Sequence, residues 1–199
     1  MGVVLAGGAG RRMGGAKAAV KLAGRPLISY PLDAVWRALG NVAVVAKIGS
    51  ELPELPGLTV WIEPDSPQHP LVGVVHALEL AGGRPVFVCA GDLPLVSAAL
   101  VRQIAGCDPR GAPAVLASGN GRVQPLLGCY QPEARALLAR WAGASAEEVR
   151  MTELAGRLGA RTFNVEDEVQ LFNVNSPDDL LLASAIISRR SRTSSAPAG

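Results

Sequence analysis

A short apolar run at the head of the chain, residues 2–6, opens directly into five glycines within nine residues, with two arginines among them and a lysine just beyond. Residues 5–27 read LAGGAGRRMGGAKAAVKLAGRPL. Glycine lets the backbone approach a ligand closely and adopt positive φ, so that successive N–H groups can turn inward onto oxygen atoms. Arg11, Arg12 and Lys17 supply positive charge beside them. A strand that ends in such a loop is suited to gripping a phosphate chain.

The rest of the chain alternates strand and helix signals. Residues 25–27 are expected to start a helix with Pro26 in its first turn, carried by Ile28, Leu32, Val35, Trp36 and Leu39 at helical spacing and stopped at Gly40. Residues 42–46 and 58–62 read as parallel strands buried on both faces. A proline-dense segment, 63–70, precedes helical periodicity over 71–81. Residues 85–90 (PVFVCA) form the most strand-like segment and run straight into Gly91-Asp92-Leu93-Pro94. Asp92 therefore stands at the carboxyl end of a central strand, where open α/β sheets bind ligands. A helix over 97–105, a strand over 112–117, a turn at Ser118-Gly119-Asn120-Gly121 and a returning, antiparallel strand over 123–130 follow. Helices are expected over 132–142 and 147–158, a late strand over 161–165, and a final helix opened by Ser176-Pro177-Asp178-Asp179 and running to about Ser188. These readings predict a three-layer αβα domain over 1–188 with a mostly parallel, Rossmann-like sheet, and a disordered tail over 189–199.

Composition narrows the function. Hydrophobic residues make up 49% of the 199 and charged residues 18%, enough apolar material for one sizeable core. The net charge of +2 is spread along the chain, without the basic stripe a nucleic-acid partner requires. Cys89, Cys107 and Cys129 lie far apart without a CxxC pair, which points to reduced thiols and not to a disulfide framework or zinc site. No apolar run approaches the ~20 residues of a membrane helix. The expectation is a cytoplasmic protein with a small anionic ligand.

Two familiar phosphate motifs fail on the opening loop. Counting from Gly8 and Gly10, the third glycine of a dinucleotide fingerprint falls on Met13, and Gly15 is followed by Ala16-Lys17-Ala18 where a Walker loop needs Lys-Ser/Thr. What remains is LAGGxxxRMG, a nearby lysine and L-x-G-x-P-L. Further on come Glu63-Pro64-Asp65-Ser66, Pro70-Leu71-Val72-Gly73, Gly91-Asp92-Leu93-Pro94, Gln124-Pro125-Leu126 and Asn173-Val174-Asn175-Ser176-Pro177-Asp178-Asp179-Leu180. In this order, across most of the chain, these resemble the MobA-like nucleotidyltransferases, and within them the molybdenum cofactor guanylyltransferases.

The resemblance implies a fold of the nucleotide-diphospho-sugar transferase type and transfer of GMP from GTP to molybdopterin, with pyrophosphate released. It implies that Leu5, Ala6, Gly7 and Gly8 contact the nucleotide, that Lys17 and the loop amides hold the triphosphate, and that Arg12 meets the leaving pyrophosphate. Asp92 would hold Mg2+, and Asp65 would read guanine, whose N1–H and N2–H2 are both donors. Gly73 belongs to the guanylyl form of its motif. Gln124, Asn173 and Asn175 fall on the acceptor side, and the enzyme is expected as a monomer or weak homo-oligomer. The chain departs from the family pattern at Ala16, where an aspartate often precedes the lysine, at Gly91, which replaces a cysteine, and after the second strand, where an asparagine is missing. Other readings stay open: a sibling enzyme using CTP or a sugar-phosphate acceptor, and a nucleotide-binding protein without turnover. Asp65 can equally be a solvated turn residue, Asp92 a cap, and Asn173 and Asn175 partners of local backbone.

Overall fold

The computed structural model describes residues 1–6, 17–142 and 151–194. Strand β1 (Gly2–Leu5) is followed, beyond the undescribed loop, by a single 3-10 turn (Lys17–Ala19) and the two-residue strands β2 (Lys21–Leu22) and β3 (Arg25–Pro26). Then come α1 (Ser29–Leu39), β4 (Val42–Lys47), β5 (Thr59–Glu63), α2 (Pro70–Leu80), β6 (Val86–Ala90) and α3 (Ala98–Ala105). The second half adds β7 (Ala114–Gly119), β8 (Arg122–Tyr130), α4 (Ala134–Ala142), α5 (Met151–Leu158), β9 (Arg161–Asn164) and α6 (Pro177–Ser194).

Seven strands form one sheet in the order β5-β4-β1-β6-β8-β7-β9, in which β8 alone runs antiparallel to its neighbours. Strand alternation divides the core. Val4, Phe87 and Cys89 face one layer with Leu32 and Val35 of α1 and Leu100 and Ile104 of α3. Val3, Leu5, Val86 and Val88 face the opposite layer with Leu71, Val74 and Leu78 of α2, Leu138 of α4 and Leu154 of α5. The expected three-layer, mostly parallel α/β architecture is therefore present.

Four local expectations change. Arg25-Pro26 does not open a helix: it pairs with Lys21-Leu22 across Ala23-Gly24, whose φ values of 46° and 83° supply the two left-handed positions of a tight hairpin. Helix α1 starts only at Ser29, and Trp36, at helical spacing, is 51% exposed. Strand β5 is the sheet edge, with Val60 and Ile62 exposed, so burial on both faces holds for β4 and not for β5. Helix α6 continues past Ser188 to Ser194, because Leu22, Leu27, Val174 and Ala183 form a small third core beneath it and Arg190 anchors its far end to Asp167 and the Leu95 carbonyl. Helix α4 begins at Ala134, two positions after Pro132, and α5 is described only from Met151, so the expected start at 147 lies outside the described residues.

The Asn120-Gly121 turn is as expected, with φ of 50° and 68° joining β7 to β8. Cys89 and Cys129 are buried, and none of the three cysteines is paired. Among the described residues no helix is long and apolar enough to cross a membrane.

Candidate active site

Chain direction creates a crevice beside β1. From β1 the chain passes through α1, on one face, to β4; after β5 it returns through α2, on the other face, to β6 on the opposite side of β1. Connections diverge there, at the carboxyl ends of the strands, and such a switch point leaves an opening that ligands occupy. A cavity of about 220 Å³ lies in it. Its walls are the strand ends Leu5-Ala6, Lys47, Glu63 and Ala90-Gly91-Asp92, together with Lys17-Ala18, the segment Gln68-His69-Pro70 at the start of α2, and Leu126.

Asp92 reaches the cavity because β6, buried along its whole length, ends at Ala90 and continues in contact with β1. The Gly91 amide donates to the Leu5 carbonyl at 2.9 Å. A Cβ at Gly91 would stand 2.9 Å from that same oxygen, so glycine here permits this close approach of the two strand ends. The Asp92 carbonyl in turn accepts from the Val174 amide at 2.9 Å, and Val174 is fully buried. That bond fixes Asn173 and Asn175 on either side of it.

The consequence is a cluster drawn from three distant parts of the chain. Lys17 Nζ donates to Asp92 Oδ2 at 2.7 Å and to Asn175 Oδ1 at 2.8 Å, while Asn173 Nδ2 donates to Asp92 Oδ1 at 3.4 Å. The Lys17 and Asp92 side chains are only 16% and 22% exposed. Asn175 is held by a reciprocal cap at the start of α6: the Asn175 and Ser176 amides donate to Asp179 Oδ2 at 2.9 Å each, and the Asp179 amide donates to Ser176 Oγ at 3.2 Å. These bonds, the one from the Asn175 amide foremost, hold the Asp179 carboxyl below its ordinary range.

Leu5, Ala6, Lys17 and Asp92 thus line one cavity, with Asn173 and Asn175 against them. Asp65 lies on the exposed loop after β5 and is not part of the cavity wall. Gln124 sits on β8 opposite Ala117, next but one to Leu126. Gly73 is inside α2, where a Cβ would stand 2.6 Å from Glu63 Oε2 and 3.3 Å from Leu5 Cδ2; it makes room. Gly7, Gly8, Arg11 and Arg12 lie outside the described residues. His69 caps α2, its Nδ1 accepting from the Leu71 amide at 3.2 Å.

Two wall residues went unrecognised in the sequence, Lys47 and Glu63. They end β4 and β5 and face each other in parallel register. Lys47 Nζ stands 3.4 Å from Glu63 Oε1 and donates to the Pro64 carbonyl at 2.8 Å. Burial pushes the Glu63 carboxyl up, against the opposing pull of Lys47. The available signal was positional, a charged residue closing each of two apolar strands.

The family model of the MobA-like NTP transferase domain matches residues 2–158. The chain belongs to that family. It is accordingly a nucleotidyltransferase-type enzyme. It is 34% identical over 193 residues to a molybdenum cofactor guanylyltransferase of Cereibacter sphaeroides, covering 94% of this chain and 96% of the relative. It is 29% identical to a probable molybdenum cofactor guanylyltransferase of Bacillus subtilis, with 89% and 90% covered. The crystal structure of molybdopterin-guanine dinucleotide biosynthesis protein A from Archaeoglobus fulgidus superposes with a TM-score of 0.77 at 25% identity, covering 95% of this chain and all of that one. The fold is that of the nucleotide-diphospho-sugar transferases. It is shared with 2-C-methyl-D-erythritol 4-phosphate cytidylyltransferase from Thermus thermophilus, at a TM-score of 0.68 and 23% identity over 94% and 98% of the two chains.

Proposed function

We propose that this enzyme transfers GMP from GTP to molybdopterin, forming the guanine dinucleotide and releasing pyrophosphate. The observation that carries the reading is the convergence of Lys17, Asp92, Asn173 and Asn175 at the rim of the crevice beside β1. The names of the relatives supply the substrates.

The reaction asks for alignment and charge neutralisation more than for an acid or base. The acceptor's phosphate oxygen is already a nucleophile; it bonds to the α-phosphorus of GTP, and the bond from that phosphorus to the bridging oxygen of the pyrophosphate breaks. Lys17 is a mobile point charge suited to the triphosphate. Its bonds to Asp92 and Asn175 keep it at the site before the nucleotide arrives, and transfer of Nζ to phosphate oxygens frees both acceptors. Arg12 and the amides of Gly7 and Gly8 complete the phosphate grip in this reading. Asn173 and Asn175 offer amide donors and acceptors to the polar pterin and its phosphate, with Gln124 farther along the same side.

Among the described residues no three His, Cys, Asp or Glu side chains converge. The Asp92 carboxylate at the end of β6 fits Mg2+ held jointly with substrate phosphates better than a metal held in an all-protein cage. Bound Mg2+ would neutralise charge on the phosphates. The unpaired cysteines fit a reducing compartment such as the cytoplasm. The test is pyrophosphate release with GTP, CTP, ATP and UTP, each with and without molybdopterin. Release with GTP and molybdopterin together supports the proposal, and activity with CTP alone overturns it.

A further inference from the structure

Within the protein itself both oxygens of the Asp92 carboxylate have donors. Oδ2 accepts from Lys17 Nζ at 2.7 Å and Oδ1 from Asn173 Nδ2 at 3.4 Å. The ammonium is anchored from a second side by Asn175 Oδ1 at 2.8 Å, and the Asn175 amide is fixed in turn by Asp179 at the start of α6. Ordering so flexible a side chain is entropically costly. Two anchors, 75 and 158 positions away in sequence, offset that cost and build the place of Nζ into the fold.

That place bears on metal binding. Asp92 keeps lone pairs, but its charge is neutralised by a cation at 2.7 Å. Mg2+ bonds carboxylate oxygen at about 2.0–2.1 Å, so on the same oxygen it would stand no more than about 5 Å from Nζ. Water does little to screen the two cations, because the Lys17 and Asp92 side chains are only 16% and 22% exposed. Phosphate reverses the balance. An ammonium has three N–H donors, of which Asp92 and Asn175 take two, and the oxygens of a triphosphate compete for all of them. We infer that Lys17 is a resident countercation that closes Asp92 to divalent metal until a triphosphate draws the ammonium away. This rests on the guanylyl-transfer reading and deepens it: the nucleotide completes a metal site that the free enzyme withholds. Asp92 accepts metal with or after the nucleotide and never before it.

Mn2+, a hard paramagnetic cation, serves as the probe, its binding read without nucleotide from the spin-resonance signal of the free ion. The wild type, Lys17→Met, Lys47→Met, Asp92→Asn and the Lys17→Met/Asp92→Asn double variant are compared. Lys17→Met is expected to bind Mn2+ at least about tenfold more tightly than the wild type, the scale of one hydrogen bond to a charged group. The gain should vanish in the double variant. Lys47, also on the cavity wall but paired with Glu63, is the control for a general change of field, and Lys47→Met should match the wild type. Equal affinity in the wild type and Lys17→Met overturns the inference, as does a gain that survives Asp92→Asn or appears equally in Lys47→Met. Should Lys17→Met fail to fold, the wild type and Asp92→Asn decide: equal Mn2+ affinity is expected, and a wild type binding tenfold more tightly refutes the closure. Calorimetric titration of the wild type with GTP, in Mg2+ and in chelator, separates the two readings. A protein that binds GTP in neither condition refutes the guanylyl reading itself, whereas GTP binding with no Mn2+ gain in Lys17→Met refutes only the role of Lys17 as countercation.

Discussion

Replacing Lys17 by methionine keeps an unbranched side chain one atom shorter and removes its charge and both of its hydrogen bonds. At 2.7 Å and an effective dielectric near 20, the attraction between Lys17 and Asp92 is about 6 kcal/mol before any cost of leaving water. Solvent still reaches roughly a fifth of each side chain, so the pair is neither fully hydrated nor deeply buried. Desolvation and ordering offset most of the gross attraction, leaving about 1–2 kcal/mol for the ion pair and about 1 kcal/mol for the bond to Asn175. The variant should lose about 2 kcal/mol of stability, which in a chain of this size is a fall of roughly 4–8 °C in Tm. Urea titration reads it as a lower midpoint at unchanged slope. Combining it with Asp92→Asn gives a double-mutant cycle, and a coupling of about 1–2 kcal/mol is expected for side chains in direct contact. Coupling indistinguishable from zero, or a Lys17→Met variant as stable as the wild type, would refute the clamp and with it the idea that Lys17 waits on Asp92 for the triphosphate.

Two other perturbations address the strand ends. The Glu63 carboxyl is pushed by burial above its ordinary value of 4.5, so the folded protein binds this proton more tightly than the unfolded chain. Above 4.5 that difference makes stability fall as pH rises through the raised folded-state value; Glu63→Gln should flatten this slope between 4.5 and neutrality, and urea-melting curves that run parallel to wild type over that window would contradict the prediction. Gly91→Ala sets a methyl group 2.9 Å from the Leu5 carbonyl and should cost about 1–3 kcal/mol by overpacking, with reduced GTP affinity because Leu5 and Asp92 line the same cavity; a variant with wild-type stability and affinity would show that the strand ends relax freely.

The central sheet was legible because β1, β4 and β6 are apolar runs closed by glycine or charge, and burial on both faces leaves such segments few alternatives. The β2–β3 hairpin was not, because its turn places an alanine at φ 46°, a conformation that alanine does not advertise. The reach of α6 depends on Arg190 meeting Asp167 and Leu95, partners that only the folded chain assembles. At the site, Asp92 could be found from its place after the fully buried β6, and Asn173 and Asn175 from the motif that opens α6. Glu63 and Lys47 escaped because their chemistry arises sideways. It depends on β4 and β5 being neighbours in register, and neither strand announces its neighbour.

The account stands most directly on one comparison, pyrophosphate release from GTP in the presence of molybdopterin and Mg2+ by the wild type and by Asp92→Asn. Asparagine preserves the shape of the side chain and removes the charge that faces Lys17 and would hold the metal. The prediction is release by the wild type that disappears when Mg2+ is chelated, and a loss of at least about a hundredfold in Asp92→Asn, the scale on which a single charge-stabilising group acts in catalysis. Release that proceeds equally in both proteins, or that is absent from the wild type with GTP, would contradict it.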